Sequence, residues 1–154
     1  MKLVDLYTDG ACSGNPGLGG YCAILIYNGV EKVISGSEKE TTNNRMELLA
    51  VIKGLSALKF PCEVKVYSDS QYVTDAFNQA WISSWESNGW KNSANKPVKN
   101  SDLWVELLKL TSIHKVDFIK VKGHADNEYN NRCDKIAVEE YKKIQSGNIF
   151  NLIG

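Results

Sequence analysis

The hydrophobic and polar positions of the first forty residues follow the pattern of β-strands. Residues 2–8 alternate in part, and residues 20–27 form a continuous apolar run that is typical of a buried strand. The Asn-Gly pair that follows this run predicts a tight hairpin leading into residues 30–37. A glycine-rich connection at 10–20 separates the first two segments. We therefore expect three consecutive antiparallel strands.

After residue 42, helical and strand patterns alternate. Residues 46–58 are apolar almost all round, which predicts a helix buried between other elements. Further strands are predicted at 63–68 and 115–121, and further helices at 70–80, within 81–100, at 102–110 and at 128–144. Strands that are separated by helices should run parallel, through right-handed crossovers.

The predicted fold class is α/β. We expect a five-stranded mixed sheet, with three antiparallel strands and then parallel strands, flanked by helices in the order βββαβαααβα. The whole chain, 1–154, is interpreted as a single domain, in which 146–154 is a short tail liable to fray.

Composition, charge and cysteine content describe an ordinary globular chain. The 154 residues are 43% hydrophobic and 23% charged, which fits one domain with its own core. The 18 basic and 18 acidic residues cancel, which argues against a nucleic-acid partner unless local patches exist. Four cysteines without Cys-x-x-Cys spacing argue against structural zinc. No apolar run reaches the length of a membrane span, and an acid at position 5 is unlike a signal peptide, so we expect a cytoplasmic protein.

Four acidic residues stand out by their positions. Asp9 and Asp69 come at the ends of two predicted strands, and Glu47 lies in the first turn of the buried helix. Asp134 lies near the apolar stripe of the last helix. Ligands of open α/β sheets gather at strand ends, so these acids could converge on one point. Carboxylates that converge raise each other's pKa, so a cluster of them stays ionised only if it binds a cation. Oxygen ligands suit Mg²⁺ or Mn²⁺. A pair of such ions catalyses phosphodiester hydrolysis.

Each acid taken alone also has a structural interpretation. Asp9 could cap its loop, and Asp69 could cap the following helix. Glu47 would complement a helix dipole, and Asp134 could pair with Arg132 or a neighbouring lysine. The spacing of the acids therefore leaves their convergence open.

Six short strings, in order from about residue 3 to residue 145, resemble the motifs of the type 1 ribonuclease H family. They are YTDGACSGNPG at 7–17, TNNRMEL at 42–48, YSDSQYV at 67–73, the tryptophan- and lysine-bearing segment 81–100, VKGHA at 121–125 and NRCD at 131–134. Every acidic residue that the family's motifs require is present.

This resemblance implies a ribonuclease H-like fold and an endonuclease that hydrolyses the RNA strand of RNA–DNA hybrids. It implies 5′-phosphate and 3′-hydroxyl ends, and two Mg²⁺ ions per active site, with Mn²⁺ as a substitute. The implied catalytic residues are Asp9, Glu47, Asp69, His124 and Asp134. The four acids would hold the metal ions, Glu47 would also sense the RNA 2′-hydroxyl, and His124 would transfer a proton or release the product.

The resemblance also implies which residues contact the hybrid, with little base specificity. They are Cys12, Asn15, Thr42, Asn43, Asn44, Gln71, Trp81, Trp85, Lys91, Lys96 and Lys99, the last five in a substrate-binding protrusion at 81–100. Asn43 and Asn44 could equally be helix caps. Trp104 is interpreted as a core residue and His114 as a surface residue.

One segment departs from the family pattern. Residues 86–88 read Glu-Ser-Asn, where bacterial members often carry several basic residues. We therefore predict weaker hybrid binding and a shallower salt dependence than in a strongly basic relative.

Three other functions compete with this one. A non-catalytic hybrid-binding module is the main alternative, although it would have no use for a cluster of repelling acids. An integrase-like or reverse-transcriptase nuclease would usually carry further domains, and a structural α/β protein would hold these acids by coincidence. A monomer is expected, and the choice between primer removal and R-loop clearance stays open.

Overall fold

The structure of the chain, a computed structural model, describes residues 1–122 and 127–153, with side chains up to residue 145. Its elements are β1 (Lys2–Cys12), β2 (Gly17–Tyr27), β3 (Val30–Thr41), α1 (Asn43–Ser56), β4 (Cys62–Ser68), α2 (Gln71–Asn78), α3 (Trp81–Ser87), α4 (Ser101–Ile113), β5 (Lys115–Lys120) and α5 (Glu128–Ile153). No helix in the described part of the chain is both long and apolar enough to cross a membrane.

The five strands form one sheet in the order β3-β2-β1-β4-β5. The pairs β1–β2 and β2–β3 are antiparallel, whereas β1–β4 and β4–β5 are parallel. This topology confirms the predicted mixed sheet and the predicted element order. It also makes β1 the central strand, with parallel neighbour β4 on one side.

The core lies on both faces of this sheet. On one face, Val4 and Leu6 of β1 pack against α1, α2 and α4, and Trp104 is fully buried there as predicted. On the other face, Cys22 and Ile24 of β2 pack against α5. Helix α1 is buried nearly all round, as its apolar pattern predicts.

Two predicted boundaries differ from the structure. The glycine-rich connection was predicted to begin at residue 10, but β1 continues to Cys12 and β2 already begins at Gly17. The pairing between β1 and β2 extends this far because Cys12 pairs with Gly19. The glycines of this segment are therefore strand residues, at positions where other elements approach the backbone closely. Helix α5 continues to Ile153 rather than ending near Ile144, since no proline interrupts it.

The expectation that His114 lies at the surface is wrong. This residue is only 5% exposed, at the end of α4, and its Nδ1 accepts the backbone N–H of Cys62 at 3.0 Å. Burial lowers the pKa of His114 from its ordinary value of 6.5. A neutral imidazole therefore joins the start of β4 to the end of α4.

We expect this histidine to make the fold sensitive to acid. Its pKa is lower in the folded state, so the unfolded chain binds the proton more readily, and the free energy of unfolding should fall as the pH drops below 6.5. His114→Asn offers an oxygen to the Cys62 N–H but does not titrate in this range. Urea denaturation between pH 8 and pH 5.5 should show the free energy of unfolding of this variant increasing relative to that of the unaltered protein as the pH falls. A difference between the two proteins that does not change with pH would contradict the assignment.

Candidate active site

The central strand β1 carries the first acid of the site. Asp9 lies within β1, opposite Cys22 of β2, and is 5% exposed. Its Oδ1 accepts the backbone N–H of Gly10 at 2.9 Å. The carboxyl group is therefore held in place by its own strand and is almost cut off from water.

Gly10 allows α1 to bring the second acid next to Asp9. A Cβ atom at Gly10 would lie 2.5 Å from the backbone nitrogen of Glu47 and 2.5 Å from the carbonyl carbon of Met46. Only a residue without a side chain lets the first turn of α1 lie directly on β1. As a result Glu47, which is 4% exposed, meets Asp9.

The third acid follows β4, the parallel neighbour of β1. The hydroxyl of Ser70 accepts the N–H of Val73 and caps α2, and Ser68 Oγ accepts the N–H of Ser70 at 3.1 Å. The cap that Asp69 could have supplied is therefore provided by its neighbour. Asp69 is half-buried, and one carboxylate oxygen from each of Asp9, Glu47 and Asp69 lies within 4.8 Å of the others.

The electrostatics of this three-acid cluster are unfavourable without a cation. Burial, opposed by the hydrogen bond with Glu47 and reinforced by the charges of Asp69 and Asp134, raises the pKa of Asp9 to about 7. Burial and the charge of Asp9 raise the pKa of Glu47 well above its ordinary value. The Asp9–Glu47 pair therefore retains a proton near neutral pH.

The cluster fits a divalent cation. Glu47 Oε2 is buried and has no hydrogen-bond partner among the described residues, which is costly for a carboxylate oxygen unless a ligand meets it. The three donors are all carboxylates, which suit Mg²⁺ or Mn²⁺ better than zinc. Asp9, Glu47 and Asp69 could therefore hold such an ion.

Asp134, the fourth acid, lies on α5 close enough for its charge to act on Asp9. A Cβ atom at Gly20 of β2 would overlap the carbonyl oxygen of Ala137, so α5 lies directly on the sheet, and Cys133 Sγ donates to the Tyr7 carbonyl at 3.3 Å. Asp134 is half-buried and outside the three-acid cluster, but its charge contributes to the raised pKa of Asp9. Arg132, considered above as its partner, instead binds Glu31 at 2.9 Å.

Asn130 is a site residue that the sequence did not reveal. It is buried on α5, one turn before Asp134, and its Nδ2 donates to the carbonyls of Tyr67 at 3.2 Å and Thr8 at 3.5 Å. Thr8 directly precedes Asp9 in β1, and Tyr67 lies two residues before Asp69, near the end of β4. The amide of Asn130 therefore links α5 to both β1 and β4. No local sequence pattern predicts this role.

Polar residues that are predicted to contact the substrate lie at the ends of the elements that carry the three acids. Thr42 caps α1 through the Arg45 N–H at 3.3 Å, which leaves Asn43 and Asn44 exposed and not acting as caps. Asn15 accepts the Asn43 N–H at 3.3 Å. The remaining members of this set are Cys12, whose thiol meets the Gly14 and Thr41 carbonyls, and Gln71, which is exposed at the start of α2.

The protrusion places three of its predicted contacts together. Trp81, Trp85 and Lys91 line one cavity of about 440 Å³. Trp85 is half-buried because its ring also packs against Trp104, at 5.5 Å between centroids. Lys96 and Lys99 are exposed in the same segment but do not line this cavity. His124, the remaining predicted catalytic residue, lies outside the described residues.

Comparison with known proteins identifies the family. The family described as RNase H matches residues 1–142. The ribonuclease H of Acetivibrio thermocellus is 62% identical over 143 residues, covering 93% of this chain and 97% of that protein. The ribonuclease H of Caldanaerobacter subterraneus subsp. tengcongensis is 59% identical over 142 residues, covering 92% and 93%.

Solved structures agree with this result. LC9-RNase H1, described as a type 1 RNase H with the type 2 active-site motif, has a TM-score of 0.83 at 30% identity, over 93% of this chain and 74% of that one. LC11-RNase H1, solved in complex with an RNA/DNA hybrid, shares the fold with a TM-score of 0.72 at 22% identity, over 92% and 99%. With motifs, topology and relatives in agreement across nearly its whole length, the chain belongs to the ribonuclease H family of hydrolases.

Proposed function

We propose that this chain is an endonuclease that hydrolyses the RNA strand of RNA–DNA hybrids by a two-metal-ion mechanism, leaving 5′-phosphate and 3′-hydroxyl ends. The observation that carries the proposal is the cluster of Asp9, Glu47 and Asp69, in which a buried carboxylate oxygen of Glu47 has no partner among the described residues. The hybrid that is bound by LC11-RNase H1 supports the choice of substrate.

Four acids would hold the metal. Asp9, Glu47 and Asp69 supply the convergent oxygens. Asp134, whose charge acts on Asp9 from α5, would complete the set. Mg²⁺ held by these residues would supply Lewis-acid chemistry, which activates a water and stabilises the leaving oxygen of a phosphodiester. The protein's contribution is to fix the carboxylates in place and to exclude water around them, through the buried strand and the glycine contact with α1.

The proton shared by Asp9 and Glu47 links metal binding to pH. Because the pKa values of both carboxyl groups are raised, loading the site requires this proton to leave. Glu47 would then also face the 2′-hydroxyl that distinguishes RNA from DNA. His124 would transfer a proton or assist product release, as the family resemblance implies.

The substrate would lie between the acids and the protrusion. Exposed amides of Asn43, Asn44 and Gln71 suit minor-groove sugar and base edges, where little sequence is read. The cavity of Trp81, Trp85 and Lys91 offers flat rings beside a cation, which suits a DNA backbone and its sugars. A monomer would suffice, because all these groups belong to one chain.

The decisive experiment compares three labelled substrates: an RNA–DNA hybrid, double-stranded RNA and double-stranded DNA. Each is incubated with Mg²⁺ or with chelator, alongside Asp69→Asn, which removes one ligand charge but keeps the side-chain shape. We expect cleavage of the hybrid only, in the RNA strand and only with Mg²⁺, and a loss of at least about a thousandfold in the variant.

Analysis of the product ends tests the chemistry, since the proposal requires 5′-phosphates. Asp75→Asn, which makes the same change on α2 outside the three-acid cluster, is the matched control and should cleave normally. If the unaltered protein binds the hybrid but does not cut it, the chain is the non-catalytic binding module considered above. Cutting of double-stranded DNA would indicate an integrase-like activity instead.

The weakly basic protrusion carries a separate prediction about salt. Lys91, Lys96 and Lys99 are its only cations, and Glu86 opposes them. We expect the logarithm of the hybrid association constant to fall with the logarithm of salt concentration with a slope of roughly −3 or shallower. Adding charge by Glu86→Lys with Asn88→Lys should steepen this slope by about 1–2. Fluorescence anisotropy in Ca²⁺, across a salt series, measures both. A steep slope in the unaltered protein would contradict the prediction.

A further inference from the structure

Two of the motif strings carry a tyrosine two residues before an acid, and the proposed reaction uses neither tyrosine. Tyr7 precedes Asp9 on β1, and Tyr67 precedes Asp69 at the end of β4. Because β1 and β4 are parallel neighbours, Tyr7 pairs with Tyr67 in register. Side chains two residues apart on a strand share one face of the sheet, so Tyr7 lies on the same face as Asp9. The repeated spacing therefore places two aromatic rings next to the acid-bearing positions.

A third ring, from α5, extends this pair. The rings of Tyr7 and Tyr67 lie 4.6 Å apart between centroids, with an angle of 11° between their planes. Tyr129, in the first turn of α5, lies 4.8 Å from Tyr7, with an angle of 30°. The guanidinium carbon of Arg132 in turn lies 5.7 Å from the ring centre of Tyr129. These four side chains form one aromatic stack that links β4, β1 and α5.

Both ends of the aromatic stack are held by carboxylates of the sheet. The hydroxyl of Tyr67 donates to Asp5 Oδ1 at 3.4 Å, and Arg132 binds Glu31 of β3 at 2.9 Å. The three tyrosines are only half-buried, so they contribute less to the core than the fully buried residues of the sheet do. Rings in stacked contact resist sliding and rotation of the elements that carry them. The aromatic stack is therefore suited to fixing the position of α5.

The acid on this helix has no salt bridge of its own that would fix it. Asp134 has no such partner among residues 1–122 and 127–145, and its carboxylate lies outside the three-acid cluster. Asp134 follows Tyr129 by five residues, which is about 7.5 Å along the helix axis. The place of Asp134 therefore depends on how the first turns of α5 are seated on the sheet.

Two neighbouring residues together determine how α5 is seated. Asn130 ties the helix to β1 and β4 through its amide, but the helix could still turn about this one contact. Tyr129 points about 100° away from Asn130 around the helix, at 3.6 residues per turn. Its contact with Tyr7 therefore restricts the rotation that the tether leaves open.

We propose that the aromatic stack positions Asp134 for metal binding, and that Tyr129 is the residue through which it does so. This inference rests on the proposed function, because it takes Asp134 to be a ligand of the metal site. Tyr129 would touch neither metal nor substrate, so it is a positioning residue that acts through the backbone of α5. Loss of its ring should change metal binding and turnover but not the binding of the hybrid.

Magnesium titration by isothermal calorimetry tests the inference without relying on cleavage. We expect Tyr129→Leu to weaken Mg²⁺ binding by about threefold to tenfold and to lower kcat by about tenfold. KM, and hybrid binding measured by fluorescence anisotropy with chelator, should stay within about twofold. Tyr129→Phe keeps the ring and should restore all three quantities to within about twofold. Tyr141→Leu removes a half-buried ring further along α5 and outside the stack, and this control should bind Mg²⁺ normally.

A second variant tests the stack at a residue whose side chain is 40% exposed. Arg132→Gln removes the guanidinium from the end of the stack and should weaken Mg²⁺ binding by about threefold. Because this change lies at the surface, it measures the effect even if Tyr129→Leu does not fold. Urea denaturation shows which variants are folded at the assay temperature.

A double-mutant cycle with Asp134→Asn shows whether Tyr129 acts through that acid. If it does, Tyr129→Leu should add less than about twofold to the loss of Mg²⁺ affinity that Asp134→Asn already causes. The full loss on top of Asp134→Asn, normal Mg²⁺ binding in Tyr129→Leu, or a Tyr129→Phe variant as defective as Tyr129→Leu would overturn the inference. If the unaltered protein binds Mg²⁺ but does not cut the hybrid, the proposed reaction fails, and the Mg²⁺ titrations still decide the role of the stack.

Discussion

Replacing Asp9 with asparagine is expected to stabilise the metal-free protein while abolishing cleavage. The folded state holds the proton of this carboxyl with a pKa of about 7, against 3.8 when the side chain is exposed. The folded state therefore binds more protons, and stability is lost as the pH rises from 3.8 towards 7. Asparagine is uncharged and removes the cost of burying an ionised carboxylate, so the free energy of unfolding should increase by about 1–3 kcal/mol at pH 7.5.

Urea denaturation with chelator at pH 4.5, 6 and 7.5 measures the effect, and the gain should shrink as the pH falls towards 4. Adding Mg²⁺ should raise the stability of the unaltered protein but not that of Asp9→Asn, whose cleavage rate should drop at least about a thousandfold. Asp5→Asn makes the same change on the same strand, outside the cluster, and serves as the control. A variant that is less stable than the unaltered protein at pH 7.5 would contradict this account of the site.

Gly10→Ala should disable the site without touching a charged group. The added methyl carbon would lie 2.5 Å from backbone atoms of Met46 and Glu47, so α1 must move away from β1. We expect a stability loss of about 1–3 kcal/mol from overpacking. We also expect a fall in kcat of at least about a hundredfold, because a displacement of about 1 Å separates Glu47 from Asp9.

Gly54→Ala is the matched control at the other end of α1. The three atoms nearest to its Cβ would all belong to the side chain of Leu6, which can shift, so stability should fall while kcat stays within a few-fold. Mg²⁺ titration by isothermal calorimetry should show weakened binding in Gly10→Ala alone. Normal cleavage by Gly10→Ala would show that the contact between β1 and α1 does not position Glu47.

Much of the fold was predictable because its signals are local. The Asn-Gly hairpin and the apolar helix at α1 each lie within a few residues of sequence. The order of strands and helices then fixes parallel or antiparallel pairing through the length of each connection. The length of β1 was not predictable in this way, since its last residues are strand only because β2 pairs with them.

The residues of the candidate site were likewise predictable where their signal is local in the sequence and not predictable where it depends on distant contacts. Asp9 and Asp69 could be singled out because strand ends collect ligands, although Asp9 proves to lie within its strand. The alternative roles of Asp69 and Asp134 were decided by contacts of other residues, Ser70 and Arg132, which the sequence leaves open. Burial of His114 and the reach of Asn130 depend on partners distant in the chain. Such contacts leave no hydrophobic periodicity in the sequence from which they could be predicted.

The tether made by Asn130 sets the order in which the protein should come apart. Its two hydrogen bonds join residues 122 and 63 positions away along the chain, to Thr8 and Tyr67 respectively. If α5 detaches in a partial unfolding event, the paired strands can survive while Asp134 leaves the centre. Native-state hydrogen exchange would then show α5 amides exchanging before those of β1. Catalytic competence would be lost at denaturant concentrations where the sheet is still intact.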